Sequence, residues 1–137
     1  MKSAPLNRIA SLNFAIVVCL VGGCNETRVN KFEDKNDGVL NELIMKGWLP
    51  LWIPDDAKDI LEKHNVDTNA GAFSFHTQTA FDKTIKQYCE TESNPDKPRE
   101  KVSSFSDQVL STSQVYKCDR FLIVYRDNQV FGWTTGQ

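Results

Sequence analysis

The chain has 137 residues, and its 18 acidic side chains slightly outnumber its 16 basic ones, for a formal net charge of −2. Proteins that bind nucleic acid neutralise phosphates with clustered Lys and Arg. This chain has neither the charge nor the cluster, so we expect no nucleic-acid partner. Its length suits one domain with its own core.

The N-terminal segment has the layout of an export signal. Lys2 and Arg8 form a basic n-region, residues 9–20 form an apolar h-region, and two glycines follow. The apolar run falls short of the roughly 20 residues that a transmembrane helix needs. We therefore expect a cleaved signal peptide over residues 1–23.

The signal ends in Val21, Gly22, Gly23 and Cys24, an order of apolar, small, small and cysteine. This order resembles the lipobox of bacterial lipoproteins. The resemblance implies cleavage between Gly23 and Cys24 and lipidation of Cys24, palmitate included, which would anchor the protein in the cell envelope. Asn25 resembles the residue found in lipoproteins sorted to the periplasmic face of the outer membrane. Two alternatives stay open: an ordinary thiol at Cys24 behind a plain signal peptide, and an uncleaved membrane anchor.

Residues 24–38 are polar and charged, with Val29 and Phe32 as the only large apolar side chains. A segment of this composition buries too little surface to offset the entropy of ordering it. We therefore predict a polar tether, followed by a single globular domain over residues 39–137.

Apolar residues then recur at helical spacing, and Asp37 and Gly47 stand where an N-cap and a C-cap belong. The apolar positions are Val39, Leu40, Leu43 and Ile44. This pattern predicts a short helix. In the next segment, residues 47–54, two prolines each fix φ and remove an amide donor, which excludes a helix or a central strand. We expect an extended apolar ribbon there.

The ribbon carries Trp48 and Trp52, which have two interpretations. As core residues, their rings would close the end of the sheet or cover a helix. As partner-binding residues, they would keep part of the ribbon exposed as a docking edge, because Trp anchors dominate many interfaces. We treat both as candidate partner-binding residues.

A second helix is predicted over residues 57–64, behind Asp55 or Asp56 as its cap. Its buried face would consist of Ala57, Ile60, Leu61 and His64, at i, i+3, i+4 and i+7. Three short motifs overlap this region: Gly-Trp-Leu-Pro from Gly47, Pro-x-x-Ala-x-x-Ile from Pro54, and His-x-Val-Asp-Thr-Asn from His64. They resemble motifs of a group of small bacterial lipoproteins and envelope proteins. The resemblance implies an envelope location and adds no mechanism.

Residues 72–77 alternate apolar and polar side chains, which predicts a half-buried strand with Phe73 and Phe75 on one face. A further helix is predicted over residues 79–90.

The end of the chain predicts strands over residues 115–117 and 121–125, and a turn that carries residues 121–125 into residues 130–134 as a terminal hairpin, pairing with the Phe73 strand. The elements together predict an α+β fold. It would have a small antiparallel sheet of three to five strands, two or three helices and one disulfide.

The four cysteines differ in their expected fates. Cys19 would leave with the signal and Cys24 would be lipidated, so the mature domain keeps Cys89 and Cys118. A single pair in an oxidising compartment predicts a disulfide. Closing a loop of about 30 residues, it would stabilise the domain by roughly 3–4 kcal/mol.

No pattern in the chain predicts a catalytic residue, a metal site or a cofactor. His64 with Asp67 could form an acid/base pair, and the acids between Asp55 and Asp67 could offer oxygen ligands, but without EF-hand spacing. A zinc site of the two histidines with Cys89 and Cys118 lacks the paired short spacings of zinc ligands.

The function predicted from these observations is a non-enzymatic, lipid-anchored module that binds another envelope protein, a class that includes inhibitors and immunity-type neutralisers. The alternative is a cell-wall hydrolase or modifying enzyme that uses paired carboxylates, such as Glu90 with Glu92 or Asp55 with Asp59. A structural envelope spacer is the third reading.

Overall fold

The structure is a computed structural model that describes residues 26–79, 81–102 and 107–135, without the side chains of residues 84 and 107–109. Within these ranges seven strands form one antiparallel sheet, accompanied by three short helices. In chain order the elements are β1 (Thr27–Asp34), α1 (Gly38–Met45), β2 (Lys58–Asn65), β3 (Ala70–His76), α2 (Phe81–Tyr88), β4 (Glu90–Glu92), α3 (Asp107–Thr112), β5 (Val115–Cys118), β6 (Phe121–Arg126) and β7 (Gln129–Thr134). Across the sheet the strand order is β1-β2-β3-β7-β6-β5-β4. The predicted signal, its cleavage residue Gly23 and the lipidation site Cys24 lie outside the described residues.

The sheet buries apolar side chains on both faces. On one face, α1, α2 and the ribbon cover Phe73 and Ile123. On the other, the chain around Val102 covers Leu122 and Trp133. Leu122 and Ile123 are neighbours in β6 and belong to different clusters, because successive side chains of a strand point to opposite faces. The central strands therefore carry buried apolar side chains on both faces.

The helix predicted after Asp37 is confirmed as α1. The Asp37 carboxylate accepts a hydrogen bond from the Val39 amide at 2.8 Å, as an N-cap does. At the other end Gly47 has a φ of +78°, and the Trp48 amide donates to the Leu43 carbonyl at 2.9 Å. This left-handed closure turns the chain from α1 into the ribbon.

The helix predicted over residues 57–64 is wrong, because residues 58–65 form β2, which pairs with β1 on one side and β3 on the other. Ile60, Glu62 and His64 are buried and alternate with less buried neighbours, the period of a strand. The spacing of four between Ile60 and His64 fits one helical turn and two strand periods alike. Backbone pairing on both edges overrides the local helical preference.

The polar tether predicted over residues 24–38 is also wrong in its central part, where residues 27–34 form β1 at the edge of the sheet. Phe32 is the one buried side chain of this strand and lies opposite Ile60. The polar residues around it are mostly exposed, as is usual for an edge strand. Composition was misleading because an edge strand needs one row of backbone hydrogen bonds and few buried side chains.

The predicted fold class is confirmed at a coarser level, as an antiparallel sheet with few short helices, and the fold is richer in strands than expected. The strand predicted around Phe73 is β3, the predicted terminal hairpin is β6 and β7, and β7 pairs with β3 as expected. The helix predicted over residues 79–90 corresponds to α2. The sheet exceeds five strands because the sequence did not reveal β1, β2 and β4.

Cys89 and Cys118 form the predicted disulfide. The bridge joins the residue after α2 to the last residue of β5, so it fastens the helix to the sheet. Since both sulfurs are used in this bond, they are not available to a zinc ion or to nucleophilic catalysis in the oxidised protein.

Gly132 in β7 lies directly beneath the ring of Phe73, and a Cβ at this position would overlap that ring. We predict that Gly132→Ala lowers the free energy of unfolding by about 2–3 kcal/mol, the usual cost of overpacking a core. Urea unfolding measures it. Gly38→Ala is the matched control, because a Cβ there meets no atom within 4 Å and should change stability by less than about 0.5 kcal/mol. Equal losses in the two variants would contradict the proposed role of the ring.

Candidate functional site

The apolar ribbon lies across one face of the sheet and is held there by its two tryptophans. The Trp48 ring stacks on His64, with ring centroids 4.2 Å apart and planes inclined by 16°. The Trp52 ring packs against Phe73 and Phe81, at centroid distances of 6.2 and 5.6 Å. Both tryptophans are half-buried. These two candidate partner-binding residues therefore hold the ribbon in place, and only part of each ring faces solvent.

A buried polar cluster lies beside Trp48. Glu62 has no exposed surface; its Oε1 lies 2.7 Å from His64 Nδ1, and its Oε2 accepts a hydrogen bond from Asn30 Nδ2 at 2.7 Å. Burial raises the pKa of Glu62 above its usual value, and the hydrogen bonds from Asn30 and His64 oppose that rise. Because both acid and imidazole are buried, this pair supports the ribbon and is not placed to contact a ligand.

The pair that His64 could have formed with Asp67 is not present. Asp67 lies in the turn between β2 and β3, where its carboxylate accepts a hydrogen bond from the Glu26 amide at 3.1 Å. The sequence did not single out Glu62, the actual partner of His64. Its inward position follows only once β2 is known to be a strand.

Asp56 connects the end of the ribbon to the loop before α2. Its carboxylate accepts hydrogen bonds from the Thr77 and Thr79 hydroxyls at 2.6 and 3.0 Å, and from the Gln78 and Thr79 amides at 2.9 Å each. These bonds, that of the Thr77 hydroxyl first, lower the pKa of Asp56. The predicted helix cap is therefore wrong, because Asp56 instead binds the amides and hydroxyls of the loop before α2.

The sheet has two ends, which we call the Thr27 end and the Asp34 end after the limits of β1. Register places Asn65, Ala70, Phe121 and Thr134 at the Thr27 end, and Lys58, His76, Arg126 and Gln129 at the Asp34 end. An open groove lies at each end, and the two grooves differ in chemistry.

The groove at the Asp34 end has a volume of about 460 Å³ and a lining of mixed polarity. Its titratable residues are Lys31, Glu33, Asp59 and His76, beside the apolar Phe32 and Leu61. Among the described residues, none forms a side-chain hydrogen bond or ion pair with those four titratable side chains. Charges just outside the groove are paired, as Lys58 is with Asp34 at 3.2 Å. The charges inside it are therefore available to a ligand.

Asp59 owes its place in this groove to an irregularity of β2. Its φ is +50°, in the left-handed region, and the register between β2 and β3 shifts between Lys58 and Leu61. Such a bulge redirects side chains, and Asp tolerates the left-handed conformation better than most residues. Backbone strain of this kind concentrates at functional sites.

The carboxylate pairs proposed from sequence are not the ones that the groove brings together. Asp55 is almost fully exposed and pairs with Lys35 at 2.9 Å, whereas Asp59 lines the groove. Glu90 and Glu92 lie in β4 at the far edge of the sheet. Glu33 lies in the groove with Asp59 instead. The two residues come together because β1 pairs with β2.

The groove at the Thr27 end is smaller, about 340 Å³, and mainly apolar. It is lined by Ile44, Gly47, Leu49, Pro50, Leu51, Asp119, Arg120 and Phe121. Leu51 is 82% exposed. The Arg120 guanidinium lies over the Phe121 ring, 5.8 Å from its centroid, and none of the described residues accepts a hydrogen bond from its buried Nε.

Within the described ranges, no group of three or more His, Cys, Asp or Glu side chains is placed to hold a metal ion. No helix in this part of the chain is long and apolar enough to cross a membrane.

Residues 26–76 match the family model of the YbbD head domain. The match spans β1 to β3 with α1 and the ribbon, and contains the three motifs that resemble envelope lipoproteins. It points to a bacterial, envelope-related family. No curated protein and no solved structure matches the chain.

We predict that Asp56→Asn lowers the free energy of unfolding at neutral pH by about 1–2 kcal/mol, through weakened charge-assisted hydrogen bonds. Because the folded protein lowers the pKa of Asp56, this stabilisation is present above the usual value of 3.8 and is lost as the pH falls through the lowered value. Urea unfolding of both proteins over an acid pH series measures it. Asp55→Asn should have little effect. An equal loss of stability in that variant would argue against the role of the Asp56 hydrogen bonds.

For Glu62 the expected sign is the opposite. Its pKa is raised on folding, so the folded state binds the extra proton, and the contribution of Glu62 to stability falls as the pH rises above the usual value of 4.5. The unfolding free energy of the wild type, minus that of Glu62→Gln, should therefore decrease from pH 4.5 toward neutrality. A rising difference for Glu62→Gln would refute the assignment.

Proposed function

We propose that this chain is a lipoprotein of the bacterial cell envelope that acts as a non-enzymatic protein-binding module, in a class with inhibitors and immunity-type neutralisers. The family match and the lipobox-like residues 21–24 support the envelope location. In this proposal the lipidated Cys24 holds the protein on the periplasmic face of the outer membrane, and no cofactor is required.

Because β1 begins at Thr27, the segment between Cys24 and the sheet is short. Only two residues separate Cys24 from Thr27, the first residue of β1, and three Cα steps span at most about 11 Å. The Thr27 end of the sheet would therefore lie close to the bilayer, and the Asp34 end would point away from it. A partner in the periplasm reaches the Asp34 end most easily.

The observation that carries the proposal is the groove at the Asp34 end. It combines available charges of both signs, from Lys31, Glu33 and Asp59, with apolar wall atoms. Interfaces join an apolar centre to complementary charges that select the partner. The groove is thus suited to a protein segment that presents a basic residue to Glu33 and Asp59.

A photo-crosslinking amino acid at position 76, in the full-length protein in its native envelope, tests the proposal. His76 lines the groove and is exposed. We expect one dominant crosslinked protein, and at least about a tenfold lower yield when Glu33→Gln and Asp59→Asn are combined, because two charge-assisted contacts are lost.

The matched control is a crosslinker at position 88, since Tyr88 is 56% exposed on α2, outside the groove. The same proteins captured from both positions, or none from position 76, would count against a binding module. With no partner at all, the envelope spacer becomes the better explanation.

Two carboxylates in one groove are the specific observation that favours the alternative, a cell-wall hydrolase or modifying enzyme, with Glu33 and Asp59 as the acids. Purified protein incubated with isolated cell-wall sacculi decides between the two. Release of soluble fragments that disappears in Asp59→Asn would support the enzyme, and no release would leave the binding module as the explanation.

A further inference from the structure

Three exposed aliphatic side chains lie at the Thr27 end of the sheet. Leu51 is 82% exposed beside the turn between β5 and β6, and Met45, the last residue of α1, is 88% exposed. Val66, 47% exposed, begins the turn after β2, where its amide donates to the Glu26 carbonyl at 3.1 Å. Aliphatic side chains exposed together mark a contact surface.

Arg120 stands among these side chains with an unused donor. Its Nε is buried, and no described residue accepts a hydrogen bond from it. The side chain as a whole is partly exposed, so an anionic oxygen can reach the guanidinium and be bound with a charge-assisted hydrogen bond. Gly47 leaves room for this side chain, since a Cβ there would lie 3.2 Å from Arg120 Nη1.

The position of the segment before β1 determines what this surface faces. Residue 26 precedes β1 at the same end, and the proposed lipidation site, Cys24, lies two residues before residue 26. If Cys24 carries the lipid, as the proposed function requires, the bilayer surface is within about 11 Å of the Thr27 end. A protein partner in this groove would have to fit between the domain and the bilayer.

Local charge favours the headgroups of neutral phospholipids. Arg28 is paired with Glu26, and Asp119 lines the groove beside Arg120. The surface is therefore not a basic patch of the kind that binds strongly acidic membranes. This surface offers a few aliphatic side chains, which suit the upper acyl region, and one guanidinium, which suits a headgroup phosphate.

We propose that the Thr27 end docks on the bilayer that holds the lipid anchor, with Leu51, Met45 and Val66 entering the headgroup region and Arg120 donating to a lipid phosphate. The lipid then restrains one point of the domain, and this surface fixes its orientation. The groove at the Asp34 end is held away from the membrane.

Fluorescence quenching in reconstituted vesicles tests this docking. Since Cys24 is lipidated and Cys89 is bonded to Cys118, a single introduced cysteine provides the free thiol of the mature protein. The full-length lipidated protein carries a fluorophore at Leu51→Cys, Val66→Cys or Asn36→Cys. The vesicles contain phosphatidylethanolamine, a minor share of phosphatidylglycerol, and lipids brominated near the headgroup. We expect quenching at positions 51 and 66 and none at position 36, which lies past the Asp34 end.

Two variants separate docking from mere tethering. A flexible Gly-Ser linker of about ten residues between Cys24 and Thr27 should leave the quenching at position 66 in place, because the surface itself binds. Arg120→Gln should reduce that quenching by at least about threefold. Arg126→Gln, at the opposite end of β6 and exposed, should not.

Equal quenching at positions 36 and 51, or its loss with the longer linker, would overturn the docking. Equal effects of Arg120→Gln and Arg126→Gln would overturn the phosphate contact. An absence of quenching at position 51 in these vesicles, which contain no other protein, would also overturn the docking. Flotation of the unlabelled protein with the vesicles reports lipidation separately, so failure of the anchor is distinguished from failure of the surface.

Discussion

The contact between the Phe73 ring and the bare backbone of Gly132 is the constraint on which the core depends. A ring can lie this close to a neighbouring strand only where that strand has no side chain. Phe73 also meets Phe75 and Phe121, with ring centroids 6.1 and 5.4 Å away. Trp52 packs on the same ring from the ribbon side. The missing side chain in β7 thus makes room for the ring on which the ribbon packs.

The parts of the fold that the sequence predicted are those whose signals are local. The caps of α1, the alternation in β3 and the turn between β6 and β7 each depend on a few adjacent residues. The strand β2 was missed because its inward side chains include Glu62 as well as His64, and Glu62 is a polar residue that a pattern search places outside. The burial of Glu62 and His64 is tolerated only because Glu62 bonds both to His64 and to Asn30 on β1. That partnership joins residues far apart in sequence, so no local pattern contains it.

The same limit applies to the candidate sites. Sequence reasoning selected Trp48 and Trp52 for their size, and the structure shows that size used largely for packing on His64 and Phe73. It paired Asp59 with Asp55 instead of Glu33, and it could not select Arg120. Each lies beside or within an irregular piece of backbone, a bulge in β2 or the turn in which Asp119 has a φ of +57°. The meaning of both positions depends on which strands meet there, which no local pattern in the sequence contains.

The placement of β1 bears on how the protein matures. This strand is the first described element, forms one edge of the sheet and contributes one buried side chain, Phe32. The remaining strands can pair with one another without it. On the proposed route, the processing enzymes must reach Gly23 and Cys24 within the membrane, which a paired strand beginning three residues later would obstruct. An edge strand that joins last resolves this conflict: export and lipid attachment can act on an extended N-terminal segment, and closure of the sheet follows as the final step of assembly.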